Sequence, residues 1–254
     1  MATWVIGDIH GCYDVFMSLL QDENIKPEDR IILVGDIIDR GPDSYKMIKW
    51  AMQNISETGR YQMILGNHED NIIQDYDNCK GLFERGFYNT GWRKVESLKD
   101  LSVHDLRCNY DFPEYMENAG LLSVESVTPI VDWFKTLPLY KKVRVKTASG
   151  KTQKYIIAHA WYRPDHNRDT LLWYRDLDDW TNHLRDDYKP EGNEILIHGH
   201  TPVQLIYRRE PGQWERNDIF IREHSINIDC GCVWRKDSGQ LAAIRLEDQK
   251  VIYY

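Results

Sequence analysis

The 254-residue chain has no apolar run approaching the roughly 20 residues that a membrane-spanning helix requires. A transmembrane span is therefore not expected. It also has no excess of positive charge: Lys and Arg total 32 against 40 Asp and Glu, a formal net charge of −8. A protein that binds a polynucleotide backbone usually presents a basic face, so nucleic acid is not an expected partner. The chain lacks a cysteine framework as well. Its five cysteines are an odd number, and only Cys230-Gly231-Cys232 stand close together. That spacing matches neither the usual zinc pairs nor a redox motif, which leaves reduced thiols. The start, Met1-Ala2-Thr3-Trp4, runs straight into an apolar segment with no room for a signal peptide, so a cytoplasmic location is expected.

What is present is a pattern that recurs six times. A short, β-branched apolar run ends at or near Asp, His or Asn, usually beside glycine. Thr3–Ile6 leads into Gly7-Asp8-Ile9-His10-Gly11, and Arg30–Val34 into Gly35-Asp36-Ile37-Ile38-Asp39-Arg40-Gly41. Tyr61–Leu65 leads into Gly66-Asn67-His68-Glu69, and Lys154–Ala158 into His159-Ala160. Glu194–Ile197 precedes His198-Gly199-His200-Thr201, and Ser225–Ile228 precedes Asp229-Cys230-Gly231. Such runs read as buried strands. Open α/β sheets place ligands at the carboxyl ends of their strands, so six such ends imply one shared site.

Between the first strands, Tyr13–Leu20 and Ser44–Ile55 carry apolar residues at helical spacing, with Asp14 placed to cap the first helix. Alternating strands and helices imply an α/β fold with parallel neighbours. From about residue 70 to 137 the strand-end pattern disappears, and aromatic and charged residues recur at helical spacing. This reads as a helical insertion over the site in a single domain spanning 1–254, its aromatics forming a small core of their own. A hairpin is expected around Ser149-Gly150, and a further strand over Leu241–Leu246.

Asp8, His10, Asp36, Asn67, His159 and His200 form a mixed nitrogen and oxygen donor set without thiolate. They are more ligands than one cation needs, which implies two metals with Asp36 as the bridging carboxylate. Two cations about 3.5–4 Å apart clamp the attacking and leaving oxygens of an in-line phosphoryl displacement and lower the pKa of a bridging water, the expected nucleophile. His68 is placed to protonate the leaving oxygen, Asp39 to orient His68, and Arg40 with a second arginine to grip the phosphoryl oxygens. His198 is expected to support the site from behind.

In order along the chain, these motifs resemble those of the calcineurin-like metallophosphoesterases, in particular the phosphoprotein phosphatase (Ser/Thr phosphatase) branch in its short bacterial and phage form. Thr90-Gly91-Trp92, Leu137-Pro138-Leu139, Trp173-Tyr174-Arg175 and Ile228-Asp229-Cys230-Gly231 extend the resemblance over nearly the whole chain. It implies a sandwich of two mixed β-sheets flanked by helices and a dinuclear site, commonly manganese, with iron or zinc as alternatives. Asp8, His10 and Asp36 would serve one metal, and Asp36, Asn67, His159 and His200 the other. Arg40 and Arg175 would contact phosphate, with Arg163 as the rival to Arg175. His159-Ala160-Trp161 departs from the His-Ala-Gly of many members. The activity implied first is hydrolysis of phosphoserine and phosphothreonine in proteins or of a small phosphoester. The alternative is symmetrical cleavage of diadenosine tetraphosphate or another nucleotide phosphoester.

Overall fold

The structure is a computed structural model and describes residues 1–89, 95–108, 110–174, 192–209, 212–213 and 215–254. Two five-stranded mixed sheets are layered with helices outside them. The first contains β1 (Thr3–Ile6), β2 (Arg30–Leu33), β3 (Tyr61–Met63), β9 (Ala242–Arg245) and β10 (Val251–Tyr253), in the order β10-β9-β1-β2-β3. The second contains β4 (Tyr140–Lys146), β5 (Thr152–Ala158), β6 (Glu194–His198), β7 (Phe220–Ile221) and β8 (Ser225–Asn227), in the order β4-β5-β6-β8-β7. β1, β2 and β3 run parallel, as do β5, β6 and β8, and the remaining pairings are antiparallel.

Strand periodicity explains the layering. In β1, Trp4 and Ile6 join the core beneath the helices, while Val5 points the other way into the core between the sheets. Ile31 and Leu33 against Ile32 and Val34 repeat the split on β2. From the second sheet, Val143, Tyr155, Ile157, Ile197 and Ile226 complete the central layer. Being buried on both faces, β1 and β2 must be continuously apolar, which is what made them readable.

α1 (Tyr13–Leu20), α2 (Ser44–Asn54) and α3 (Asn67–Glu84) contribute Phe16, Met47, Ile48 and Ile72 to the helical side of the first sheet. Cys12, not Asp14, precedes α1, and no side chain caps it; Asp14 lies in the first turn. α3 already begins at Asn67, so the strand-end motif and the start of the expected insertion are one continuous helix. Short 3-10 turns at Leu98–Asp100 and Val103–Leu106, then α4 (Phe112–Asn118) and α5 (Val124–Lys135), follow. Their apolar side chains, among them Leu101, Leu106, Phe112, Met116 and Val127, belong to the same core cluster as Trp4 and Ile31. A separate small core for this region is thus not what forms. α6 (Arg168–Trp173) covers the outer face of the second sheet through Leu171, and α7 (Val203–Tyr207) closes the inter-sheet core. No helix among the described residues is long and apolar enough to cross a membrane.

Candidate active site

The carboxyl ends of β1, β2, β3, β5 and β6 converge on Asp36. Its Oδ2 lies 3.7 Å from His10 Nε2, 3.8 Å from His68 Nε2 and 3.4 Å from His159 Nε2. Its Oδ1 accepts the backbone N–H of His68 at 3.0 Å. Asp36 is held in turn by Glu69, whose carboxylate accepts the N–H groups of Asp36, Ile37 and Gly66, each at 3.0 Å. Glu69 therefore ties the ends of β2 and β3 to the first turn of α3.

The backbone is strained where the donors stand. His10, Asp36, Asp39, Arg40 and His200 all have positive φ, between 45° and 69°. Non-glycine residues adopt this region sparingly, and such strain clusters at functional sites. Close approach is enforced by two glycines. A Cβ on Gly66 would stand 2.2 Å from Asp36 Oδ1, and one on Gly199 would stand 2.0 Å from Asp8 Oδ1.

Donor atoms form two groups that could hold metal ions, His10–Asp36–His68 and Asp36–His159–His200, with the ligand atoms of each within 4.8 Å of one another. Asp36 is common to both. Asn67 joins the second group, because its Oδ1 accepts from His159 Nε2 and from His200 Nδ1, each at 2.8 Å. Asp8 is anchored at the edge, Oδ2 accepting the His200 N–H at 3.1 Å. His10 Nδ1 donates to Ile38 O at 2.9 Å, which leaves Nε2 as the lone-pair nitrogen; Arg40 Nη1 donates to it at 2.8 Å. His159 Nδ1 is likewise fixed by Val34 O at 2.9 Å. Such second bonds orient metal-ligating imidazoles.

The electrostatics are those of crowded acids and bases. Burial, then Asp229, pushes Asp8 well above the carboxylate range. Burial pulls His10 down to about 3, with Arg40 and His68 acting in the same direction, so its imidazole is neutral. Burial alone would depress His159 too, but Asp36 and then Asp8 override it and raise it to about 10. Asp8 Oδ1, His68 Nε2 and Asp229 Oδ2 are buried without a hydrogen-bond partner among the described residues. Unpaired buried donors and acceptors of this kind, in a nitrogen and oxygen set, suit divalent cations.

His68 Nδ1 donates to Asp39 Oδ2 at 2.7 Å, so the proton-donor pair expected from sequence is brought together. His198 is buried at the end of β6, edge-on to Trp161 with ring centroids 5.0 Å apart. Arg163 lies over the Tyr174 ring, 5.1 Å from its centroid. Arg175 lies outside the described residues. Three polar groups of the site were not singled out from sequence. Glu69 follows Asn67 and His68 in its motif with no donor role of its own, and Tyr115 carries no local signal. Asp229 ends the sixth strand and stands outside the six-residue donor set. That strand-end position, shared with Asp8 and Asp36, was the signal for Asp229.

Residues 1–228 match the model of the calcineurin-like phosphoesterases, and the chain belongs to that family. It is therefore a metal-dependent phosphoester hydrolase by class. A symmetrical bis(5'-nucleosyl)-tetraphosphatase of Nitrosospira multiformis is 27% identical, the match covering 99% of this chain and 94% of the relative. The asymmetrical bis(5'-nucleosyl)-tetraphosphatase PrpE of Anoxybacillus flavithermus is 26% identical, over 98% and 91%. Among solved structures, one described as a candidate diadenosine tetraphosphatase superposes with a TM-score of 0.57 at 19% identity, over 99% of this chain and 92% of that one. It shares the two-sheet fold.

Proposed function

We propose that the chain hydrolyses dinucleoside tetraphosphates with two divalent metal ions. The observation that carries the metal chemistry is the position of Asp36, common to two donor groups. The substrate class rests on near full-length similarity to proteins named as tetraphosphatases. This reading now stands ahead of the protein phosphatase activity implied first by the resemblance.

In this reading Asp8, His10 and Asp36 hold one cation, and Asp36, Asn67, His159 and His200 the other. Cations so held polarise phosphoryl oxygens and lower the pKa of bound water. The protein's own groups do the rest. Arg40, solvent-exposed beside His10, grips phosphoryl oxygens, with Arg175 or its rival Arg163 as the second contact. Asp39 holds the His68 ring with Nε2 turned toward Asp36, from where it gives a proton to the departing oxygen. Manganese is the metal we favour, on the family resemblance alone.

A phosphomonoesterase acting on phosphoserine or phosphothreonine is the second reading, and the His68–Asp39 pair favours it. An alkoxide needs a proton to leave, whereas a nucleotide phosphate is already a good leaving group. Side-by-side turnover of diadenosine tetraphosphate and a phosphoserine/phosphothreonine peptide with Mn²⁺ separates the two. Preference for the dinucleotide is expected, and its products report the cleavage position: two ADP for symmetrical cleavage, AMP and ATP for asymmetrical. Preference for the peptide would overturn the first reading.

A further inference from the structure

Tyr115 on α4 donates its hydroxyl to Asp39 Oδ1 at 2.9 Å, while Asp39 Oδ2 takes the His68 Nδ1 proton at 2.7 Å. Both oxygens of a fully buried carboxylate are thereby satisfied. The contact spans 76 residues of chain, joining the region after α3 to the strand-end loop of β2. The ring of Tyr115 is itself fixed edge-on to Phe112, with centroids 5.4 Å apart. Nearby, Tyr110 stacks on the face of His68 at 4.1 Å with an interplanar angle of 27°, and His10 meets His68 edge-on at 4.7 Å.

We propose that Tyr115 is a positioning residue for the acid: its hydroxyl fixes the plane of the Asp39 carboxylate, which in turn aims His68 Nε2 at the leaving oxygen. A carboxylate held by one bond can turn about its terminal torsion and offer either oxygen to the imidazole, because that torsion is broad and two-fold. A second donor removes the freedom. Tyr115 remains a neutral donor, since burial and then Asp39 push its hydroxyl well above the usual phenol range. Burial raises Asp39 as well, and the bonds from His68 and Tyr115 oppose that shift. Tyr110 supplies a wall that stops the ring from tilting. The region after α3 thus contributes to the chemistry and does not merely border it. The inference rests on reading His68 as the acid, a role that shows on poor leaving groups and is therefore read with aryl phosphates and not with the dinucleotide.

Tyr115→Phe, His68→Asn and the double variant test this with phenyl phosphate and dinitrophenyl phosphate in saturating Mn²⁺. Tyr115→Phe is expected to lower kcat on the poor leaving group by about tenfold, part of the 10²–10⁴ that a general acid supplies. KM should hold, and dinitrophenyl phosphate should be nearly unaffected. In the His68→Asn background the same substitution should do nothing more. Equal losses on both substrates, or effects that add fully in the double variant, would assign Tyr115 a structural role only. The His68 Nδ1–H resonance of ¹⁵N-histidine-labelled, chelator-treated protein gives a readout apart from turnover. It should shift in Tyr115→Phe, and an unmoved resonance would overturn the proposal. A wrong substrate assignment would show in the dinucleotide assay and leave this cycle intact. A wrong acid would show as His68→Asn losing rate equally on both phosphates.

Discussion

Glu69 Oε2 accepts the backbone N–H of Asp36 at 3.0 Å across 33 residues of chain. The same carboxylate binds the N–H groups of Ile37 and Gly66, so one buried side chain fixes where the central donor stands. The clamp holds Asp36 at φ +48°, a backbone conformation that non-glycine residues adopt sparingly.

Glu69→Gln is expected to destabilise the protein, because an amide presents one acceptor oxygen to three donors. Leaving a buried N–H unsatisfied costs about 1–3 kcal/mol. Burial, then Asp36, raises Glu69 to about 7 in the folded chain, against about 4.3 when unfolded, so its contribution falls as the pH climbs through that window and the loss should be larger at pH 5 than at pH 8. Chemical denaturation at the two pH values measures it; a variant as stable as the parent at pH 5 would contradict the clamp.

Gly199→Ala should weaken metal binding. The added methyl would meet Asp8 Oδ1 at 2.0 Å, and the carboxylate is the more mobile partner. Calorimetric titration with Mn²⁺ is expected to show at least about a tenfold weaker site, the lower end for disturbing a ligand's support. Unchanged affinity would place Asp8 outside the ligand set.

His68→Asn should retain metal and lose rate, most for poor leaving groups, by up to the 10²–10⁴ typical of general acids. His68 also falls in the His10–Asp36–His68 donor group. Loss of a bound ion on substitution would make it a ligand instead of an acid.

Chelator-treated protein should lose stability as the pH rises. His159 is raised to about 10 in the folded chain, against about 6.5 when unfolded. Its contribution is fully present below pH 6.5 and is lost as the pH climbs toward 10. Melting temperatures of parent and His159→Gln should converge over that window. A gap that widens with pH would reverse the sign of this assignment.

Much of the site was legible because it lies at strand ends. A strand buried on both faces is an unbroken apolar run, and its polar terminus stands out against it. That placed Asp8, Asp36, Asn67, His159 and His200 within a few residues of β1, β2, β3, β5 and β6. The helix over Tyr13–Leu20 was equally plain, since Phe16 and Leu19 repeat at helical spacing. The start of α3 at Asn67 was harder to read, because a glycine followed by polar residues looks the same whether it starts a turn or a helix. Tyr115 carried no local signal, because its partner Asp39 is distant in sequence. The 3-10 turns and α4 gave weak periodicity, and their apolar residues joined the main core through contacts that no short window contains.

The most direct test is the number of metal ions bound per chain, measured by elemental analysis after dialysis with Mn²⁺, for the parent and Asp36→Asn. Two ions for the parent are expected, with fewer than two and no metal-dependent turnover for the folded variant. One ion in the parent, or two ions and full activity in Asp36→Asn, would contradict a dinuclear centre built around Asp36.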